Sequence, residues 1–248
     1  FTHLFEGSVF YLIGGCPPRY LFMEHSLTRH AEFGKPEYEP HMVSMAGLDR
    51  FPMFNPNYFG EIKITPLSNK THFVACARTF NEGDIIYAAV RDLLSRGITD
   101  FHVTIAGRSS VRKIPSDIKK YVSKTGMLGF NDLWKLYEKA DYFFNPLEPQ
   151  IESHRKYLNE VTSGYWQAIM AFGKVPISHS AFAPVYRYSD DNAVLYDVAG
   201  GAADAMERAI TLSHQEYFAK HNALSEMRNQ VYNESFENIT SMVEKIGY

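Results

Sequence analysis

An α/β fold with a doubly wound parallel sheet, preceded by the remnant of an upstream α/β domain, is what this sequence predicts. Three observations lead there. From His72 to the end of the chain, short apolar runs alternate with helically spaced segments, the rhythm of β-α units. Residues 162–177 read Thr-Ser-Gly-Tyr-Trp-Gln-Ala-Ile-Met-Ala-Phe-Gly-Lys-Val-Pro-Ile: a polar cap, a short apolar helix, a glycine stop and a buried-strand run. Residues 1–70 lack the rhythm; they are irregular and rich in Pro, Gly, aromatics and His.

The elements follow in order. Phe10-Tyr-Leu-Ile13 and Tyr20-Leu-Phe-Met23 read as buried strands separated by a Gly-Gly-Cys-Pro-Pro turn. Residues 51–60 read as a loop by their Pro, Asn and Gly content. The chain divides near Thr71: residues 1–70 are the tail of an N-terminal domain plus a linker, and residues 71–248 are one doubly wound domain with C-terminal helices. His72–Cys76 is a strand. Asp84–Arg96 is a helix, with Ile85, Ile86, Ala89, Val90, Leu93 and Leu94 on one face and Gly97 ending it. Phe101–Ala106 is the next strand. A polar helix near 116–123 then leads to a third strand at Gly126–Phe130. Asn131 caps a helix over Asp132–Lys139, and Asp141–Asn145 is a fourth strand ending in Pro146. A long loop covers Leu147–Val161. After the capped helix come strands at Val175–Ile177 and Ala193–Tyr196. Helices then fill Ala202–Leu212, Gln215–Gln230 and Phe236–Ile246.

Composition excludes several classes. The 248 residues are 45% hydrophobic and 21% charged, and a net charge of −3 offers no basic field for nucleic acid. Ten histidines are scattered without metal-ligand spacing, so no metal is expected. Two cysteines, Cys16 and Cys76, point to a reducing compartment rather than a disulfide framework. The Asn-x-Ser/Thr triplets at Asn69, Asn233 and Asn238 are read as chance. No stretch is long and apolar enough for a membrane span. The chain opens on Phe-Thr-His-Leu-Phe-Glu without an initiator Met, and a missing upstream segment is expected.

In a doubly wound sheet, ligands bind beyond the carboxyl ends of the strands. Two predicted strand ends carry an arginine and a hydroxyl: Ala77-Arg78-Thr79 and Gly107-Arg108-Ser109-Ser110. Arginine's planar fork suits phosphate oxygens, and Gly107 lets backbone approach a ligand closely. The helix start at Thr162-Ser163-Gly164-Tyr165 offers free N–H groups and a positive dipole end to an anion. The loop 147–157 is dense in charge; Glu148 and Glu152 suit hydroxyl groups, and His154, Arg155 and Lys156 suit a diphosphate.

Over residues 72–240 this order of signals resembles the C-terminal, donor-binding domain of retaining GT-B glycosyltransferases with a glycosyltransferase-4-like pattern. Ala77-Arg78 stands where the family has Gly-Arg near a lysine, and Gly107-Arg108-Ser109 where it has Gly-x-Gly. Met127-Leu-Gly-Phe-Asn-Asp-Leu-Trp-Lys-Leu-Tyr-Glu-Lys-Ala-Asp141, Phe143-Phe-Asn-Pro146 and Phe172-Gly-Lys-Val-Pro-Ile177 match three further segments. Two features depart from the pattern. Asn81-Glu82-Gly83 occupies the place of the usual lysine. Of the family's paired glutamates, the second position holds Gln167, and eight residues earlier stands Asn159 with Glu160 adjacent.

The resemblance implies a Rossmann-like domain that binds a nucleotide-diphosphate sugar. Arg78, Thr79, Gly107, Arg108, Thr162, Ser163, Gly164 and Tyr165 would face the diphosphate. Glu148, Glu152 and Gln167 would contact sugar or ribose hydroxyls, and Glu160 and His154 are the candidates for a catalytic part. It also implies a retaining, metal-independent transferase with no cofactor beyond its donor. The acceptor would be a glycan or glycolipid in polysaccharide or lipopolysaccharide biosynthesis. The enzyme would be cytoplasmic, in contact with the inner face of a membrane, although no basic amphipathic helix is present to carry that contact. A catalytically silent binding module and a nucleotide-sugar epimerase are the rival readings of the same fold.

Overall fold

The computed structural model describes residues 10–13, 19–24, 42–45, 51–55, 67–77, 79–107 and 112–245. These form two sheets. The smaller has three strands, β1 (Phe10–Ile13), β2 (Arg19–Glu24) and β3 (Met42–Ser44), with β1 antiparallel and β3 parallel to β2. The larger contains β4 (Thr71–Ala75), β5 (Phe101–Ile105), β6 (Val122–Lys124), β7 (Tyr142–Phe144), β8 (Val175–His179) and β9 (Val194–Tyr196). Its spatial order is β6-β5-β4-β7-β8-β9, with every neighbouring pair parallel. Counted from β4, this is the doubly wound order 3-2-1-4-5-6. The chain reverses direction across the sheet between β4 and β7, where such folds open a crevice.

Helices cover both faces: α1 (Phe80–Ser95), α2 (Phe130–Lys139), α3 (Glu152–Arg155), α4 (Gly164–Phe172), α5 (Ala183–Tyr186), α6 (Ala202–Thr211) and α7 (His214–Lys245). The period of two along each strand decides which helix it meets. Phe73, Ala75, Tyr142 and Phe144 pack with Ile86, Val90 and Leu93 of α1 and Met206 and Ala209 of α6. Val74 and Phe143, one residue out of phase, pack with Trp166, Ile169 and Met170 of α4 and Leu224 of α7. All these side chains are less than a tenth exposed. Each large one contributes on the order of 1.5–3 kcal/mol of burial.

Several sequence expectations are corrected. The third strand is not Gly126–Phe130 but Val122–Lys124, at the sheet edge. The expected polar helix at 116–123 is a run of turns held by buried Ile118. Met127 and Phe130, the apolar residues that invited the strand reading, are 75% and 71% exposed. Helix α1 starts four residues before Asp84, because Thr79 and Glu82 form a capping box. Helix α2 starts at Phe130 with Gly129 as its N-cap, so Asn131 lies inside the first turn and caps nothing. The loop 147–161 contains α3 and a 3₁₀ turn over Lys156–Leu158. The two expected C-terminal helices are one. No Gly or Pro interrupts residues 230–236, and Ser235 Oγ donates back to Val231 O at 2.6 Å, absorbing the polar stretch.

Helix α7 also joins the two sheets. Tyr217 near its start donates to Asp141 O beside β7 at 3.1 Å. Near its end, Asn238 Nδ2 donates to Met53 O at 2.8 Å, and Met242 packs on Val43 of β3.

Candidate functional site

The crevice lies beyond the carboxyl ends of β4 and β7. On the β4 side the chain passes Cys76 and Ala77 and enters α1. Thr79 Oγ1 accepts from Glu82 N at 3.4 Å, and Thr79 N donates to Glu82 Oε2 at 2.9 Å. The cap therefore uses one carboxyl oxygen of the buried Glu82. Its other oxygen lies 4.0 Å from His154 Nε2. Thr79, expected at a diphosphate, has its hydroxyl engaged in this cap.

On the β7 side stands Asn145-Pro-Leu-Glu148, all buried. Asn145 N donates to Ile177 O at 2.9 Å and Asn145 Nδ2 to Ser178 Oγ at 3.3 Å. Glu148 is 1% exposed. Its backbone N–H donates to His154 Nδ1 at 3.0 Å, and Gln150 Nε2 donates to Glu148 Oε2. Burial, and secondarily the Glu148 carboxyl beside it, raises the Tyr196 phenol well above its ordinary pKa, so it stays protonated. The Tyr196 phenol interacts with the Glu148 carboxyl, but neither Tyr196 Oη nor Glu148 Oε1 reaches full hydrogen-bond geometry. Burial also lowers the pKa of His154 and of His179, against the opposing pull of Glu148 on both and of Glu82 on His154.

The start of α4 completes the crevice. Tyr165 Oη accepts from Cys76 N, which ties the helix to the end of β4. Ser163 Oγ accepts from Tyr165 N at 3.2 Å, and Ser163 N donates to Tyr186 Oη at 3.0 Å. Ser163 and Tyr165 thus satisfy each other and the scaffold. Gly164 is exposed, with nothing within 4 Å of the space a Cβ would take, and Thr162 is buried with Oγ1 unbonded. Gly173 ends the helix at φ 59°, as its place in the sequence predicts.

Of the other expected residues, Arg78, Arg108, Ser109 and Ser110 lie outside the described residues. Gly107 has φ 88° and donates to Thr125 Oγ1 at 3.1 Å. Glu152 and Glu160 are exposed, Gln167 is half-buried on α4, and Arg155 Nε donates to Pro149 O at 3.2 Å. The structure brings Glu148 and His154 together and adds residues that the sequence reading did not single out: Glu82, Asn145, His179 and Tyr196. Thr79-x-x-Glu82 was the available signal for the first, since it is a capping-box spacing. A cavity of about 280 Å³ opens between α1 and the start of α6, lined by Asn81, Asp84, Glu148, Gln150 and Gly200 among others.

No protein-family model matches the chain, and no curated protein is similar to it in sequence. Solved structures are similar in fold. A glycosyltransferase from Rickettsia africae ESF-5 superposes with a TM-score of 0.64 at 13% identity, covering 97% of this chain and 69% of its own. The sucrose-phosphate synthase of Thermosynechococcus elongatus gives 0.58 at 10% identity, covering 90% and 67%. The fold is that of the GT-B glycosyltransferases. A UDP-forming α,α-trehalose-phosphate synthase from Burkholderia xenovorans gives 0.50 at 12% identity, and this chain spans 43% of its length.

Among the described residues, four of the buried side-chain atoms without a hydrogen-bond partner fall in the segment between β7 and α4: Asn145 Oδ1, Glu148 Oε1, His154 Nε2 and Thr162 Oγ1. Buried polar atoms are bonded in the great majority of cases, so these exceptions call for an explanation. Among the described residues, no group of three or more His, Cys, Asp or Glu is arranged to hold a metal ion. No helix among them is long and apolar enough to cross a membrane.

Proposed function

We propose that this chain is the donor-binding part of a glycosyltransferase that moves a sugar from a nucleotide-diphosphate donor to a glycan or glycolipid acceptor. The observation that carries the reading is the concentration of unbonded buried polar atoms in the loops after β7 and before α4, at the reversal of a GT-B sheet. Asn145 Oδ1 and Glu148 Oε1 are acceptors suited to sugar or ribose hydroxyls. The Thr162 hydroxyl and the open backbone at Gly164 suit phosphate oxygens at a helix start. Departure of the nucleoside diphosphate would be favoured by fixed donors and the helix dipole rather than by a protein acid. Arg78 and Arg108 belong to the proposal as further diphosphate ligands, Glu152 and Gln167 as contacts to sugar or ribose hydroxyls, and Glu160 as a candidate for a catalytic part. Retention at the anomeric carbon, independence of metal and of any cofactor, and an acceptor side supplied by residues 1–70 and sequence upstream are parts of the same proposal. So is a cytoplasmic site of action at the inner face of a membrane.

Calorimetric titration with UDP, GDP, ADP, dTDP and CMP, with and without magnesium, tests it. Saturable binding of one diphosphate, unchanged by magnesium, is the expected result. Arg78→Ala and Arg108→Ala should each weaken it. A rival reading, a silent GT-B-like binding module, draws on Gln167 at a glutamate position and on Asn81–Gly83, the first turn of α1, in the place of a lysine. Absence of binding across the panel would favour that module.

A further inference from the structure

Within that donor-site reading, we infer that His154 is a positioning residue: it holds the Glu148 backbone so that the Glu148 carboxyl meets the sugar of the donor, and it takes no part in proton transfer. The geometry argues this in three steps. A backbone N–H can only donate, so His154 Nδ1, 3.0 Å from Glu148 N, must be the acceptor and carry no proton. The neutral ring then bears its proton on Nε2, which lies 4.0 Å from Glu82 Oε1. Burial keeps the ring neutral, so this tautomer persists.

The ring therefore lies between the two sides of the crevice, bonded at Nδ1 to the loop after β7 and with Nε2 facing the Glu82 carboxyl of the α1 cap at 4.0 Å, beyond hydrogen-bond reach. At 1% exposure it presents neither nitrogen to solvent. That geometry suits a brace. A proton carrier has to reach the reacting groups, whereas this ring is buried, with Nδ1 bonded to backbone and Nε2 facing Glu82.

What the brace fixes is the direction of Glu148. This residue is also 1% exposed, lines the 280 Å³ cavity and keeps Oε1 without a hydrogen bond, while Gln150 takes Oε2. His154 comes from the segment 149–161, which the resemblance places between the strand-ending proline and the capped helix. The segment thus folds back to set a residue that precedes it.

Two ligands and three variants test the assignment: UDP against UDP-glucose, and GDP against GDP-mannose, titrated into the whole chain. Asparagine places Oδ1 near the position of His Nδ1, whereas glutamine places its amide nearer Nε2. His154→Asn should keep the wild-type ratio of sugar-nucleotide to nucleotide affinity. His154→Gln and His154→Leu should lower that ratio about tenfold and leave nucleoside-diphosphate affinity within about twofold. The contrast between Asn and Gln survives even if the leucine variant does not fold. A residue that only stabilised the fold would shift thermal unfolding and leave the ratio alone. An unchanged ratio in His154→Gln beside normal diphosphate binding overturns the brace and leaves the donor site standing. Absence of all nucleotide binding in the wild type overturns both.

Discussion

At the scale of single residues, the polar groups around the crevice divide into those that build it and those left open. Tyr165 belongs to the first kind. Its side chain is buried, and its hydroxyl accepts the Cys76 N–H at the end of β4, the one described hydrogen bond between that strand end and α4. Burial raises its pKa well above the ordinary value and that of Cys76 to about 11, so neither ionises near neutrality. Tyr165→Phe should cost about 1–3 kcal/mol, because it strands a backbone donor rather than removing a pair. Urea unfolding measures it, and a loss below half a kcal/mol would mean the bond contributes little. Glu148 and Asn145 belong to the second kind, and their open oxygens carry the functional reading.

At the scale of elements, the sequence was most legible where packing is symmetrical. Central strands buried on both faces, such as β4 and β7, read as apolar runs because both helical layers require it. The helix α4 was readable from its serine cap and its glycine at φ 59°. The edge strand β6 was not: Val122-Ser-Lys carries one buried apolar side chain, and the more apolar Met127-Leu-Gly-Phe130 drew the assignment away. Half of the site escaped for a similar reason. The partners of His154 are Glu82 and Glu148, and the first lies in a different β-α unit, so only the fold brings them together. Over the span of α7 the sequence predicts two helices, Gln215–Gln230 and Phe236–Ile246, on either side of Asn233. Because α7 is one helix with Asn233 exposed in its interior, Asn233→Pro should cost about 3 kcal/mol or more. Thermal or urea denaturation of that variant decides it; a joint between two helices would tolerate the proline.

At the scale of the whole molecule, five buried or half-buried histidines act together on stability. His72, His102, His154, His179 and His221 all have their pKa lowered, burial being the largest cause in each, and His221 reaches about 4 between the cations Lys174 and Arg228. Each binds its proton more readily in the unfolded chain, where the ordinary value near 6.5 applies. Their contribution is therefore complete above about pH 6.5 and is lost as pH falls toward the folded values. The slope is up to about 1.4 kcal/mol per pH unit for each proton taken up on unfolding. The melting temperature should drop steadily from pH 7 to pH 4.5, and His221→Gln should flatten the lower part of that curve. A melting temperature constant over this range would contradict the assignment.

Helix α7, bonded to the large sheet at Tyr217 and to the small one at Asn238 and Met242, has a mechanical consequence. At about 1.5 Å per residue, the stretch from Tyr217 to Met242 is a lever arm of roughly 37 Å. A tilt of about 3° about its start would carry the far end by about 2 Å. Asp141, one residue before β7, and the smaller sheet are thus tied to opposite ends of one continuous helix.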